Sequence, residues 1–583
     1  MNRTYSGTLR KEHIGQTLTL QGWVQKRRDF GELVFIDLRD RSGICQVVVD
    51  PERGASPELV ATAKEVRGEF VIQVTGVLAE RADAQKNPKM PTGDVELVPA
   101  SFEILSRADT PPFVIEDDTD AAEELRLQYR YLDLRRPALA KNLMLRHKVV
   151  FATRNFFDRN GFIEIETPIL TKSTPEGARD YLVPSRVHKG QFFALPQSPQ
   201  IFKQLSMVAG LDRYFQIARC FRDEDLRRDR QPEFTQIDVE ASFINEEAIY
   251  SMIEGLFSDI FPVAGIEVKT PFPRMTWQEA MDRFGIDRPD TRFGMELIDI
   301  SEQAKAIAFD PFRAADTVRA IVVPGGAAFS RKKLDELTEE AKKLKASGLV
   351  WIKFDAQKGS SIKKFLDDAS FDALRTALGA NEGDLALVIA GKKTLVWDVL
   401  GSLRLKIAKD EKMIPENRWD FLWVTDFPLF EWDDESQRFF ARHHPFTSPA
   451  EGHLELMQSD PGAVLARAYD VVLNGLELGG GSIRINRPEV QQKMFEALGI
   501  SAEVAQAQFG FLIDAFRYGA PPHGGIALGV DRIVMLMAGA ESLRDVIAFP
   551  KTARAQDLMS DAPSEVDTRQ LDDLGIAIKT PTS

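Results

Sequence analysis

Short bursts of alternating hydrophobic and polar residues fill the first hundred positions: LTLQGWVQKRR, LVFIDLRD, CQVVVD, EFVIQVTGVL and DVELVPASFEIL. A period of two with turn residues between the bursts predicts five short strands, and five such strands predict a small barrel over 1–107. The Pro- and acid-rich stretch ADTPPFVIEDDTDAAEELRLQYRYLDLRRP predicts a hinge over 108–136. From Pro137 the period changes. Leu145, Val149, Ala152 and Phe156 fall on one helix face, and Asn160-Gly161 ends that helix. FIEIETPIL then reads as a strand running to Pro168. Mixed strands and helices over 137–284 predict the first part of a larger domain. The span 285–424 has its own helix (KKLDELTEEAKKLKASG), its own strands (LVWIKF, LALVIAG) and no dense polar motif, which predicts an inserted α+β domain. Polar motifs return over 425–555, the second part of the interrupted domain, and 556–583 is a polar C-terminal extension. The fold class is α+β, multidomain.

Composition narrows the function classes. At 583 residues the chain exceeds a single core, and about three to five domains are expected. The 74 basic and 88 acidic residues give a net charge of −14, so binding of nucleic acid must rely on local basic patches. Two distant cysteines, Cys45 and Cys220, argue against a disulfide framework or zinc site and fit a reducing compartment. No apolar leader or bilayer-length run is present, so the expected location is the cytoplasm, with no membrane partner.

Five stretches carry candidate chemistry. In FRDEDLRRDRQPEFTQIDVE (221–240), Phe234, Gln236, Asp238 and Glu240 share one strand face and Thr235, Ile237 and Val239 the other. That polar stripe is either an ordinary solvated face or a ligand face. The neighbouring Arg222, Asp223, Glu224, Arg227, Arg228 and Arg230 suit a ligand bearing both phosphate and ammonium. In LPQSPQIFKQLSMVAG, Ser198 is an N-cap candidate and Pro199 a first helical residue. Gln200 and Lys203 share a helix face, giving either a capped surface helix or a carboxylate site. In AYDVVLNGLELGGGSIRIN, Asn474-Gly475 signals a two-residue hairpin pairing Leu473 with Leu476 and Val472 with Glu477. Asp470 then lies diagonally from Glu477 on one face, close enough to share an ion. Gly479, Gly480 and Gly481 leave room for a ligand or another backbone, and Ser482 and Arg484 share one face. In PPHGGIALGVDRIVMLMAG, glycines precede an apolar helix with Arg532 in its first turn, matching neither a P-loop nor a GxGxxG fingerprint. On the predicted barrel, Phe35, Asp37 and Arg39 share a polar face beside QKRR (25–28), an arrangement suited to base stacking with phosphate contacts.

Together these motifs resemble the class II aminoacyl-tRNA synthetases. FIEIETPIL resembles motif 1, CFRDEDLRRDRQPEFTQIDVE motif 2 and GGIALGVDRIVML motif 3. TKSTPEGARDYLVP, LPQSPQIFKQ, HHPFT and LELGGGSIRI resemble the bacterial-type aspartyl-tRNA synthetases, over almost the whole chain. The resemblance implies an OB-type anticodon-binding barrel at 1–107 and a catalytic antiparallel sheet flanked by helices. It implies a homodimer with Pro168 at its interface, and L-aspartate, ATP, Mg2+ and tRNA(Asp) as ligands. Arg222 would hold the ATP α-phosphate and the aspartate α-carboxylate. Phe234 and Arg532 would sandwich the adenine. Asp223, Glu224, Gln231, Gly529, Val530 and Asp531 would complete the ATP site. Asp470 and Glu477 would hold magnesium. Lys203, Arg484 and His443 would bind the substrate's side-chain carboxylate, and Asp238, Gln200, Ser198 and Glu176 would orient its α-amino end. Arg28, Phe35, Gln46, Asn87 and Glu96 match anticodon contacts. Arg222, Arg532 and Glu477 would carry the catalytic electrostatics. The implied enzyme joins aspartate to the 3′ end of tRNA through an aspartyl-adenylate. Alternatives are an enzyme that also charges tRNA(Asn), an asparaginyl-tRNA synthetase and a non-catalytic tRNA-binding paralogue.

Overall fold

The computed structural model describes residues 3–174, 178–225 and 229–579. The chain divides into two compact units, one of Met1–Lys148, Asp225–Pro232 and Val534–Ser583, the other of Val149–Glu224 and Glu233–Ile533.

In the first unit a closed five-stranded barrel takes the order Thr17–Phe30, Leu33–Asp40, Gly43–Val49, Val95–Ser106, Val71–Glu80, the last strand pairing back onto the first. The inward residues of each alternation (Leu20, Val24, Val34, Ile36, Leu38, Val47, Ile72, Val74, Leu97) form one sealed core. Arg39 departs from the expected outward face. It is buried, donating to both carboxylate oxygens of Glu69 at 2.8 and 2.7 Å, because Glu69 comes down over it. Arg135 of the predicted hinge also donates to Glu69, at 2.7 Å, and lies over the Trp23 ring. The same stretch forms two short helices, Glu123–Gln128 and Arg130–Asp133, tied to the fully buried Asp133, which accepts from Arg130 and Arg136.

The second unit is built on an eight-stranded sheet: Arg274–Thr276, Phe421–Thr425, Ala468–Leu473, Leu476–Ile483, His523–Gly529, Glu233–Ser242, Arg213–Phe221, Ile163–Glu164. Its inner pairings are antiparallel and its two edge pairings parallel. The stretch FIEIETPIL contributes only two residues to the edge, Ile163 and Glu164, and its remainder leaves the ladder ahead of Pro168, which cannot donate to it. Glycines let the central strands close up. A Cβ on Gly479 would stand 2.1 Å from the Ala527 carbonyl, and one on Gly481 2.0 Å from that of Gly525. A separate four-stranded antiparallel sheet, Ile298–Asp299, Thr317–Val323, Asp384–Gly391 and Val350–Phe354, buries hydrophobic clusters on both faces. Among the described residues no helix is long and apolar enough to cross a membrane.

Candidate active site

The polar stripe of strand Glu233–Ser242 is not solvated: Asp238 and Glu240 are both 0 % exposed. Buried carboxylates need partners, and two buried cations supply them. Lys203, on the inner face of helix Gln200–Val208, places Nζ 2.6 Å from Asp238 Oδ1 and 3.2 Å from Glu240 Oε2. Arg484, just past the glycine strand, donates through Nε and Nη2 to Glu240 at 3.0 and 3.3 Å, and through Nη1 to Ser482 Oγ at 2.7 Å. Gly525 makes this possible, since a Cβ there would stand 2.1 Å from Glu240 Oε2. Two positive and two negative side chains thus meet in a cluster shielded from solvent. Burial pushes the Asp238 carboxyl up to about 6 against the pull of Lys203. Burial would also raise Glu240, but Arg484 and Lys203 outweigh it and hold that carboxyl below its ordinary value. Asp238 Oδ2 is buried with no hydrogen-bond partner among the described residues.

Around this cluster the helix start differs from expectation. The first helical bond runs from Lys203 N to Pro199 O, so the helix opens at Gln200, and Pro199, not Ser198, is the cap residue. Ser198 Oγ still accepts from Gln200 N at 3.3 Å. His443 is exposed and packs edge-on to Phe427.

A second group lies along the same sheet. The Arg222 guanidinium sits 5.0 Å from the Phe234 ring centroid. Asp531 Oδ2 accepts from Thr235 N at 2.9 Å, fixing the start of helix Val530–Ala538 beside the Phe234 strand. Gly529 pairs with Gln236, and Val530 is buried. Arg532 Nη1 donates to the Glu477 carbonyl at 2.9 Å and comes within 3.9 Å of its carboxylate. Asp223 bonds Arg179 through its backbone. The hairpin forms as expected at Leu473–Leu476 and Val472–Glu477, with positive φ at both Asn474 and Gly475. A bulge then shifts the register, so Asp470 faces Gly480, where a Cβ would lie 2.2 Å from Asp470 Oδ1. Burial, then the charges of Glu477 and Asp287, push the Asp470 carboxyl well above its ordinary value. Two hard oxygen donors whose charges repel, with a glycine cradle beside one of them, fit a divalent cation such as Mg2+. No group of three or more His, Cys, Asp or Glu side chains with metal-ligating potential occurs among the described residues, so water or substrate oxygens would complete the coordination.

The remaining predicted residues fall elsewhere. Gln231 belongs to the first unit, where its amide pairs with both the N–H and the C=O of Lys551. Glu176 and the pair Arg227 and Arg228 lie outside the described residues. Pro168 is exposed beside Ile169 and Leu170. On the barrel, Arg28 donates to Asp37 and to Gln46 Oε1, and Gln46 Nε2 donates to Glu96, its ladder partner. Phe35 takes the Arg28 guanidinium on one side and the edge of the exposed Phe30 on another. Asn87 uses its side-chain carbonyl to accept from Lys89 N.

Sequence reasoning left Glu240 without a role and passed over Asp287, Gln204 and His523. Glu240 carried a signal, its place two residues from Asp238 on one strand face. Asp287 carried none, because its effect on Asp470 arises from tertiary proximity alone.

A family model described as tRNA synthetases class II (D, K and N) matches residues 122–553, and one described as OB-fold nucleic acid binding domain matches residues 18–105. An aspartate–tRNA(Asp/Asn) ligase of Anoxybacillus flavithermus is 54% identical over 99% of this chain and 98% of its own length. An aspartate–tRNA ligase of Macrococcus caseolyticus is 54% identical over 100% of this chain and 99% of its own. Among solved structures, the asparaginyl-tRNA synthetase of Pyrococcus horikoshii aligns with a TM-score of 0.60 at 19% identity, covering 95% of this chain and 98% of that one. The aspartyl-tRNA synthetase of Entamoeba histolytica aligns at 0.59 and 20%, covering 94% and 91%. At that identity these two carry the fold alone. Sheet, barrel and full-length relatives agree: the chain belongs to the class II tRNA synthetases of the D, K and N group, within the family of the aspartate–tRNA ligases.

Proposed function

We propose that this protein joins L-aspartate to the 3′ end of tRNA(Asp), with ATP as the energy source and Mg2+ at Asp470 and Glu477, as a cytoplasmic homodimer. One observation carries the amino-acid assignment: the buried set of Lys203, Arg484, Asp238 and Glu240, whose charges match a doubly acidic zwitterion. Lys203 and Arg484 receive the side-chain carboxylate beside His443. Asp238, whose Oδ2 has no hydrogen-bond partner among the described residues, takes the ammonium, with Gln200 and Ser198 as further contacts. Arg222 spans the α-carboxylate and the ATP α-phosphate. Phe234 and Arg532 hold the adenine, and Asp223, Glu224, Gly529, Val530 and Asp531 complete the nucleotide site. Mg2+ supplies charge neutralisation on the phosphates when bound.

In the first step the aspartate α-carboxylate oxygen attacks the α-phosphorus. A carboxyl-O–P bond forms, the bond to the bridging oxygen breaks, and pyrophosphate leaves. The nucleophile is already ionised, so the site needs no base; it needs positioning and positive charge, which Arg222 and Arg532 provide. In the second step the terminal ribose hydroxyl of the tRNA attacks the activated carbonyl and AMP leaves. Asparagine in this pocket would leave Lys203 and Arg484 facing an amide, a penalty of a few kcal/mol, on the order of 2–5.

The pKa of Asp238 gives this reading a pH signature. Its ionised form pairs with the ammonium, so kcat/KM for aspartate should fall as pH drops below about 6. Asp238→Asn should lower kcat/KM and flatten that limb. The sign for stability is opposite. A carboxyl raised from 3.8 to about 6 takes up a proton on folding, so its contribution is complete at low pH and lost as pH rises through about 6.

For the tRNA, Arg28, Phe35, Gln46, Asn87 and Glu96 supply anticodon contacts on the barrel. Phe35→Ala should reduce tRNA charging about tenfold or more while sparing aspartate-dependent ATP–pyrophosphate exchange, since base stacking is worth about 1–3 kcal/mol. Equal loss in both assays would contradict the assignment. The relatives named for tRNA(Asp) and for tRNA(Asp/Asn) stand at the same identity, so charging of purified tRNA(Asp) and tRNA(Asn) decides the range. Exposed Ile163, Ile169, Leu170, Phe192 and Phe243, together with Pro168, support the homodimer.

A further inference from the structure

Three buried side chains outside the charged cluster form a directional chain. His523 Nδ1 lies 2.8 Å from the Pro521 carbonyl, Gln204 Nε2 lies 3.1 Å from His523 Nε2, and Gln200 Nε2 lies 3.1 Å from Gln204 Oε1. His523 and Gln204 are both 0 % exposed, so neither exchanges partners with water. A carbonyl oxygen only accepts, which makes Nδ1 the donor. A neutral imidazole has one donor and one acceptor, so Nε2 accepts from the Gln204 amide. Gln204 then presents its oxygen to Gln200, and Gln200 must give its N–H to that oxygen. The remaining group of Gln200, its carbonyl Oε1, is left as an acceptor. An acceptor suits an ammonium; the reversed amide would offer N–H to a cation.

We propose that His523 and Gln204 are positioning residues that fix the Gln200 amide with its oxygen toward the substrate ammonium, starting from the Pro521 carbonyl. This rests on the reading of Gln200 as an amino-acid contact. Neither residue touches substrate; they act by setting which end of Gln200 does. The backbone of His523 separately accepts from Arg484 N at 2.9 Å, so side-chain substitutions at 523 leave that bond in place.

The test compares variants in aspartate-dependent ATP–pyrophosphate exchange with the full chain. Loss of a hydrogen bond to a charged group predicts that His523→Phe and Gln204→Met each raise KM for aspartate about tenfold or more, with KM for ATP within about twofold. Gln204→Glu keeps an acceptor for Gln200 and should retain a lower KM than Gln204→Met. A packing role predicts the reverse order, because methionine fits the buried space without a charge, and that order would overturn the proposal. If His523→Phe fails to fold, the Gln204 pair still decides. Independently, long-range 1H–15N spectra of histidine-labelled protein should show His523 protonated at Nδ1; protonation at Nε2 alone would also overturn it. Absence of aspartate-dependent exchange in the unsubstituted protein would instead reject the amino-acid reading, leaving the tautomer result to judge the chain.

Discussion

Arg484→Leu is expected to lower aspartate-dependent ATP–pyrophosphate exchange about a thousandfold or more and to destabilise the protein as well. Both follow from one geometry. Arg484 is the two-bond partner of Glu240 in a buried cluster, and removing it leaves that carboxylate with Lys203 alone. Breaking a buried pair from one side costs about 3–5 kcal/mol. The activity loss is separable from this cost. In the double variant Arg484→Leu/Glu240→Leu no unpaired carboxylate remains, and replacing a buried pair by apolar residues is often neutral. The double variant should therefore recover most of the melting temperature and none of the aspartate activation. Recovery of both together would mean that Arg484 serves the fold and not the substrate.

Asp470→Asn is expected to lower exchange about a hundredfold or more while making the metal-free protein less sensitive to rising pH. Burial, Glu477 and Asp287 all disfavour the charged Asp470. A carboxyl whose folded pKa is raised contributes stability that is complete below its unfolded pKa and lost as pH rises through the folded one. Unsubstituted protein without Mg2+ should thus lose stability relative to the variant as pH rises from the ordinary carboxylate range upward, and Mg2+ should offset the loss only where Asp470 is present. Thermal melts across that range, with and without Mg2+, read this without any activity assay. A variant that still gains the same melting shift from Mg2+ would remove Asp470 from the metal site.

Much of the fold was legible because its signals are local. The alternation of the first hundred residues gives the barrel strands, and Asn474-Gly475 gives the hairpin with its first two pairings. The bulge beyond Glu477 was not legible. A run of glycines accepts either register, and what selects one is the tight approach of Gly479 to the Ala527 carbonyl and of Gly480 to the Asp470 carboxylate. Arg39 showed the same limit. Strand period puts it on the outer face with Phe35, but Glu69, thirty residues later in the chain, arrives to bury it. Glu240 marks the boundary from the other side. Its spacing from Asp238 was plain, yet its task of gripping Arg484 needs a residue 244 positions away. The hydrogen-bond chain from Pro521 to Gln200 is likewise a product of packing, with only the Gln200–Gln204 step at helical spacing.

The most direct test of the charge-matched pocket is ATP–pyrophosphate exchange with each amino acid in turn, at pH 7.5 with Mg2+ and no tRNA. Exchange supported by L-aspartate, with asparagine and glutamate at least about a hundredfold weaker in kcat/KM, is the predicted result. Exchange supported by asparagine as well as by aspartate would contradict it, because pairing of Lys203 and Arg484 with a carboxylate should disfavour an amide by about 2–5 kcal/mol.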